Sequence, residues 1–138
     1  MAYWLMKSEP GAWSWQQQVK AGGKGEAWTC VRNFQARANL MKMRKGDRAL
    51  FYHSGEDKAA VGIVEIIREH YPDPTAKGEP WVVVDIKALQ ALPKPVTLAA
   101  IKNEPKLKDM VLVNNSRLSV QPVTAGEWKL VCKMGGLR

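Results

Sequence analysis

The residues in this chain that are best suited to chemistry are one tryptophan and the polar side chains that follow it. Trp28 lies in a polar, glycine-rich stretch at residues 23–29. The face of an indole stacks on a flat heterocycle such as a nucleobase, which is worth about 1–3 kcal/mol and does not select the base. Polar groups at the edge of the stacked ring must do the selecting. We therefore predict a slot for a planar ligand at Trp28.

Basic and amide side chains come directly after this tryptophan. Asn33 and Arg37 are four residues apart, so they lie on one face of a predicted helix, and Arg32 precedes them. Cations at this position, together with the positive end of the helix dipole, can hold phosphates. A solvated helix face is the alternative interpretation. Arg117, in a polar segment between two predicted strands, can also contact phosphate.

Composition is consistent with one folded domain, which we predict over residues 1–138, because 46% of residues are hydrophobic and 25% are charged. The chain has 21 Lys and Arg against 13 Asp and Glu, and its pI is near 9.7. This surplus favours phosphate-rich partners or an acidic membrane surface. No apolar run approaches the roughly 18 residues that span a bilayer. The N-terminus lacks a signal-peptide pattern. We expect a cytoplasmic protein without a membrane partner.

Sequence patterns typical of enzymes are absent. The chain has no GxxxxGK[ST] loop, no GxGxxG after a strand and no GxSxG. Cys30 and Cys132 form no CxxC and no zinc-ligand cluster, so we predict reduced thiols, no metal and no cofactor. His53 is one of two histidines. A lone histidine at a strand end is more often structural than a general base, so catalysis is the weaker hypothesis.

The elements that must position these residues are short. Strands are predicted at residues 3–6, 48–53, 61–68, 81–89, 111–113 and 118–121. Capping-box patterns at Ser14 and Thr124 predict helices that end at glycines 22–23 and near residue 134, and two further helices are predicted at 33–43 and 97–103. Residues 70–80 contain three prolines and are predicted to form a loop. The order of these elements follows no strict βαβ rhythm, which predicts an α+β domain with a mixed or antiparallel sheet, curled towards a barrel.

Four sequence blocks occur in a recognisable order: WLMKSEP at 4–10, WTCVRNFQAR at 28–37, FYHS at 51–54 and SRLSVQPV at 116–123. Together they resemble the EVE domain family, which includes animal thymocyte nuclear protein and bacterial single-domain proteins. The resemblance implies a PUA-like fold, with a curled mixed sheet and short peripheral helices, related to the YTH readers of methylated RNA. Family members commonly have Asp-Gly after the loop tryptophan, where this chain has Thr29-Cys30. This departure concerns ligand preference more than fold.

The resemblance also implies a non-catalytic pocket for a modified base, such as methylated or hydroxymethylated cytosine, in DNA or RNA. The matched positions implied as ligand-binding are Ser8, Glu9, Trp28, Arg32, Asn33, Arg37, Tyr52, His53, Ser54, Arg117 and Ser119. Two other functions stay open at this point. One is a small enzyme or nuclease accessory that acts on nucleic acid through Glu9 and His53. The other is a protein-interaction module with a basic face.

The six tryptophans are expected to divide between structure and site. Trp4, Trp81 and Trp128 lie within predicted elements and are expected in the core. Trp13 and Trp15 are expected to brace the turn and the capped helix against the sheet. Removing the Trp28 indole is expected to abolish base-dependent binding while the fold stays intact.

Overall fold

One mixed β-sheet of six strands organises the protein, in a computed structural model that describes residues 1–29 and 31–137. The strands are β1 (Tyr3–Ser8), β2 (Glu26–Ala27), β3 (Arg48–His53), β4 (Ala59–Pro72), β5 (Val82–Thr97) and β6 (Val120–Val123). Their order is β2-β5-β4-β3-β1-β6, with β1 parallel to β3 and the other neighbours antiparallel. In the described residues no pairing joins the edge strands β2 and β6, so the sheet is open and does not close into a barrel.

Local polar side chains set most of the helix starts. Within the described chain the α-helices are α1 (Trp15–Lys20), α2 (Phe34–Lys42), α3 (Leu98–Lys102), α4 (Val111–Asn114) and α5 (Ala125–Met134). The capping boxes predicted at Ser14 and Thr124 are both present, with the cap hydroxyl and the third helical side chain satisfying each other's backbone amides. Asn33 and Thr97 cap α2 and α3 by a single side-chain bond each, accepting from the amides of Ala36 and Ala100.

The strand predicted at residues 111–113 is wrong, because these residues begin the short helix α4. The amides of Val113 and Asn114 both donate to the Met110 carbonyl. Met110 and Leu112 are each about 1% exposed and pack in one hydrophobic cluster with Ile101. Three β-branched and aliphatic residues fit a strand or a buried helical turn equally well, and packing selects the turn here.

The hairpin of β4 and β5 is longer than the sequence predicts. Pro93 and Pro95 lie inside β5, beyond residue 89, where the predicted strand ends. They fall between Ala91, which pairs with Gly62, and Val96, which pairs with Ala60, where the register of the two strands shifts. Prolines are tolerated at such irregularities because no ladder hydrogen bond needs their missing amide hydrogen.

Each face of the sheet carries its own hydrophobic cluster. Trp4, Met6 and Phe51 belong to the cluster covered by α1 and α2, whereas Leu5 and Trp128 belong to the cluster covered by α3, α4 and α5. Consecutive β1 residues alternate between the two, as strand geometry requires. The core positions predicted for Trp4 and Trp128 are confirmed. No helix in the described residues combines the length and the apolar character needed to cross a membrane.

Candidate functional site

A cleft of about 520 Å³ opens where β1 ends, beside the edge strand β2. This volume is in the range of about 300–1,000 Å³ that is typical of small-ligand sites. The chain contributes three segments: the end of β1 with the turn after it, the end of β2 with the residues after it, and one residue before β6. The lining residues are Lys7, Ser8, Glu9, Ala12, Trp13, Glu26, Ala27, Trp28, Thr29, Val31 and Ser119.

Trp28 forms part of the cleft wall and part of the core at once. The sequence predicts it on an open loop, but the residue is only 8% exposed. Its amide donates to the Val84 carbonyl on β5 at 2.8 Å. Its indole meets the Phe51 ring edge-on, with centroids 5.6 Å apart and planes at 89°. Trp28 is therefore a firmly packed core residue that borders the cleft.

A glycine explains why this segment lies so close to the sheet. Gly25 has φ 72°, and a Cβ there would come within 2.3 Å of the Ile86 carbonyl oxygen. Only glycine permits that approach without strain. The pairing of β2 with β5 follows, with Glu26 opposite Ile86. This pairing brings Trp28 onto the hydrophobic cluster.

Trp13 braces the turn against α1 and the core, as predicted, and it also lies in the cleft wall, which the sequence does not predict. It is half-buried, and its indole N–H donates to Oε1 of Gln18 at 2.8 Å. The turn that carries it is tightly closed: the Trp13 amide donates to the Glu9 carbonyl at 2.9 Å, and the Ser8 hydroxyl donates to the Trp13 carbonyl at 2.6 Å. Two indoles therefore line one cleft.

The bracing role predicted for Trp15 is confirmed. Its ring packs edge-on against Phe51 at 5.4 Å and lies directly over Gly62. Its amide donates to Nε2 of His53 at 3.0 Å. Because Trp15 is fixed inside the core, Trp13, two residues earlier, is left at the surface of the turn. This relation is the sequence signal that could have indicated the position of Trp13.

Lys7 at the end of β1 is hydrogen-bonded to the turn at residues 115–119, before β6. Its amide donates to the Ser119 carbonyl at 2.9 Å, and its ammonium donates to the Ser116 carbonyl. The ammonium also lies 5.7 Å from the centre of the Tyr52 ring. Burial lowers the pKa of Lys7 below its usual value. Gln121 supports the same turn, since its side-chain amide donates to the Leu118 carbonyl at 2.7 Å.

The polar groups of the cleft include more acceptors than cations. The charged residues that line it are Glu9, Glu26 and Lys7, and the Lys7 ammonium is already bonded to the Ser116 carbonyl. The hydroxyl hydrogen of Ser8 is used on the Trp13 carbonyl, so towards a ligand Ser8 acts as an acceptor. Two carboxylates disfavour a phosphate inside the cleft and favour a ligand that carries N–H donors.

Several positions implied by the resemblance lie outside this lining. Tyr52 is buried in the other hydrophobic cluster. His53 is also buried: its Nε2 accepts from Trp15, and its Nδ1 lies 3.2 Å from Oδ2 of Asp57. Ser54 lines a separate hollow of about 350 Å³, formed by residues 9–11 and 54–57. Glu9 borders both spaces.

The basic segment at residues 32–37 binds the loop at residues 73–81 through its two arginines. Arg32 forms an ion pair with Asp73 at 3.0 Å, and Nε of Arg37 donates to the Pro80 carbonyl at 2.6 Å. Asn33 accepts from the Ala36 amide as the cap of α2. Arg117 is exposed in the turn next to Ser119. Of the implied positions, the structure brings Ser8, Glu9, Trp28 and Ser119 together in the cleft.

An open mixed sheet with short peripheral helices and a cleft at one end defines a domain of the PUA-like class. The sequence model of the EVE domain matches residues 2–134, and the chain belongs to this family. The resemblance inferred from the sequence is therefore confirmed.

Relatives in this family span bacteria and animals. A solution structure from Rhodopseudomonas palustris is 65% identical with a TM-score of 0.94, and the match covers 99% of this chain and 94% of that one. Human thymocyte nuclear protein 1 is 32% identical in an alignment 165 positions long, which covers 96% of this chain and 73% of the human protein. The protein in a crystal structure of human THYN1 protein in complex with 5-methylcytosine containing DNA is 31% identical in sequence. That structure matches with a TM-score of 0.90 over 100% of this chain and 99% of that one.

A more distant structure shares the fold alone. It is the YTH domain of the Zygosaccharomyces rouxii MRB1 protein, solved in complex with N6-methyladenosine RNA, at 19% identity and a TM-score of 0.60. The match covers 99% of this chain and 88% of that one.

Proposed function

We propose that this protein is a non-catalytic nucleic-acid-binding module that holds one modified base, of the methylated or hydroxymethylated cytosine class, in its cleft. The observation that carries the proposal is the pairing of Trp13 and Trp28 with carboxylates in one cleft. The complex of the related human THYN1 protein with 5-methylcytosine containing DNA supports it. We therefore take 5-methylcytosine in DNA as the first ligand to test, with RNA of the same sequence beside it.

Each part of the cleft has a role in this mechanism. An indole wall stacks on the extruded base, which repays about 1–3 kcal/mol of the few kcal/mol that extrusion costs. The carboxylates of Glu9 and Glu26 accept from the exocyclic amine, which is the contact that carboxylates make with cytosine. Lys7, Thr29 and Ser119 supply donors for the ring nitrogen and carbonyl oxygen of the base.

The methyl group itself contributes modestly. Ala12, Ala27 and Val31 give the cleft an apolar portion where a methyl can be buried. One buried methylene-sized group is worth about 0.8 kcal/mol, which is a preference of about 4-fold. We therefore expect a clear but small preference for the methylated base.

The test uses labelled single-stranded oligonucleotides that carry one 5-methylcytosine or one cytosine, with binding followed by fluorescence anisotropy at fixed salt. Trp13→Ala should weaken binding between about 5-fold and 150-fold because a stacking surface is lost. Glu26→Ala should weaken it by a similar factor because an edge contact worth about 1–3 kcal/mol is lost. Glu56→Ala is the matched control, since Glu56 is an exposed carboxylate that lines only the neighbouring hollow.

Unchanged binding by both Trp13→Ala and Glu26→Ala would refute the cleft as the base site. Equal affinity of the parent for the cytosine and 5-methylcytosine oligonucleotides would refute the proposed preference for the methylated base. Catalysis through Glu9 and His53 has less support, because both ring nitrogens of His53 already have partners. A cytoplasmic location stays a prediction from the sequence.

A further inference from the structure

An exposed aromatic pair lies outside the cleft, at the start of α2. Phe34 is 65% exposed and is the one aromatic among the large exposed hydrophobic residues of the described chain. Its ring centroid is 4.9 Å from that of Trp81, with the planes 34° apart. Trp81 was expected in the core but is only partly buried. We call these two rings the Phe34–Trp81 platform.

The platform is held in place from several sides. The indole N–H of Trp81 donates to Oε2 of Glu79 at 2.8 Å. The Arg32 guanidinium lies 5.8 Å from the Trp81 ring centroid, and Arg37 bonds the Pro80 carbonyl just before the tryptophan. Exposed aromatic surface that is fixed by this many contacts is preorganised, which lowers the entropy cost of binding a partner.

The start of β5 connects the platform to the wall of the cleft. The Trp28 amide bonds to the Val84 carbonyl, and Trp81 precedes Val84 by three residues. At about 3.3 Å per strand residue, this places the Trp81 backbone about 10 Å from the Val84 backbone. Bases along one stacked DNA strand are spaced about 3.4 Å apart, so about three nucleotides span a separation of that size.

We propose that the Phe34–Trp81 platform stacks on an unpaired base that neighbours the modified base, so that the protein holds a single strand at two points. The proposal rests on the proposed function for the position of the first base. Aromatic rings bordered by cations are the surface that single strands select, because bases stack on the rings and phosphates meet the cations. Arg37 and Arg32, the second of which is also ion-paired with Asp73, border the rings in a chain with a formal net charge of +8.

The experiment compares two ligands and three forms of the protein. One ligand is a single-stranded oligonucleotide with a central 5-methylcytosine, and the other carries abasic sites for three positions on each side of it. The proteins are the parent, Phe34→Ala and Met41→Ala. Met41 is the matched control because it is an exposed apolar residue in the same helix, 39% exposed. Urea unfolding of each variant checks that the fold is retained.

We expect Phe34→Ala to bind the intact oligonucleotide between about 5-fold and 150-fold more weakly than the parent, and Met41→Ala to match the parent. On the abasic ligand all three proteins should bind alike, because the stacking base is gone. Equal binding of the intact ligand by Phe34→Ala and the parent would overturn the platform, as would a Phe34→Ala loss that persists on the abasic ligand. If the parent does not distinguish methylated from unmethylated cytosine, base reading fails, while the Phe34→Ala comparison still decides the platform.

Discussion

Replacing Gly62 by alanine should destabilise the protein through a single contact. A Cβ at this position would lie 2.4, 2.5 and 2.6 Å from Cη2, Cζ2 and Cζ3 of Trp15. Carbon atoms pack at about 3.5–4.0 Å, so the indole would have to retreat by about 1 Å. It has little freedom to do so, because its amide is bonded to His53 and its ring packs on Phe51.

Overpacking of this kind costs about 1–3 kcal/mol of unfolding free energy. With a urea m-value of about 1–3 kcal/mol per molar, the unfolding midpoint of Gly62→Ala should fall by about 1 M. Far-UV circular dichroism is the suitable probe, because it does not depend on the tryptophan environments that the variant changes. Gly126→Ala is the control for the same chemical change: Gly126 lies in α5 with no atom near its Cβ position. It should gain about 0.4–1 kcal/mol through reduced unfolded-state entropy.

A double-mutant cycle tests the assigned contact. Trp15→Phe removes the outer ring atoms that the new Cβ would strike, so the double variant should lose less stability than the sum of the single losses. Coupling of about 0.5–3 kcal/mol is the range for residues in contact. Strictly additive losses, or no loss in Gly62→Ala alone, would refute the reasoning. Because Trp15 anchors the segment that carries Trp13, Gly62→Ala should also weaken binding of the 5-methylcytosine oligonucleotide.

Four further outcomes are expected. Trp28→Ala should lose about 3–5 kcal/mol of unfolding free energy in urea unfolding, and should lose binding as well, because Trp28 is buried. This replaces the expectation from the sequence that the variant keeps an intact fold. Burial, followed by a hydrogen bond to Asp85, raises the pKa of Tyr71 from 10.0 to about 12. The stability that this gives below pH 10.0 should therefore be lost as the pH rises to about 12, and Tyr71→Phe should remove that loss in urea unfolding measured across this range. Lys7→Met should speed amide exchange in the turn at 115–119 by removing the bond to Ser116. Arg117→Ala should reduce the salt slope of single-strand binding by about 0.7, if this exposed cation contacts one phosphate, and leave the methyl preference unchanged.

Local patterns in the sequence predict those features that depend on neighbouring residues. The capping boxes at Ser14 and Thr124 formed as predicted, because a cap involves side chains only three residues apart. The strand at residues 48–53 has the predicted bounds in β3. Residues 111–113 and the extension of β5 could not be assigned in this way. Packing of Leu112 in the core and the register shift opposite Pro93 depend on distant segments.

The candidate site was harder to predict because adjacent residues of one motif serve different places. The block at 28–37 begins in the cleft with Trp28 and continues into α2, and Arg32 before the helix and Arg37 within it bind the loop at 73–81. A motif groups these residues because they are consecutive, whereas the fold separates them. Trp13 shows the reverse case, since it lines the cleft in addition to the bracing role that the sequence predicts for it.

Affinity and preference should come from different parts of the molecule. A methyl group changes binding by about 4-fold through buried area, whereas each stacked base contributes between about 5-fold and 150-fold. Only the cleft can contact the methyl group, so only changes there can alter the ratio of affinities for methylated and unmethylated strands. The Phe34–Trp81 platform and Arg117 contribute equally to the binding of methylated and unmethylated oligonucleotides. A reader built in this way needs its rigid cleft, since a preference of a few-fold survives only if Trp28 stays fixed by Phe51 and by β5.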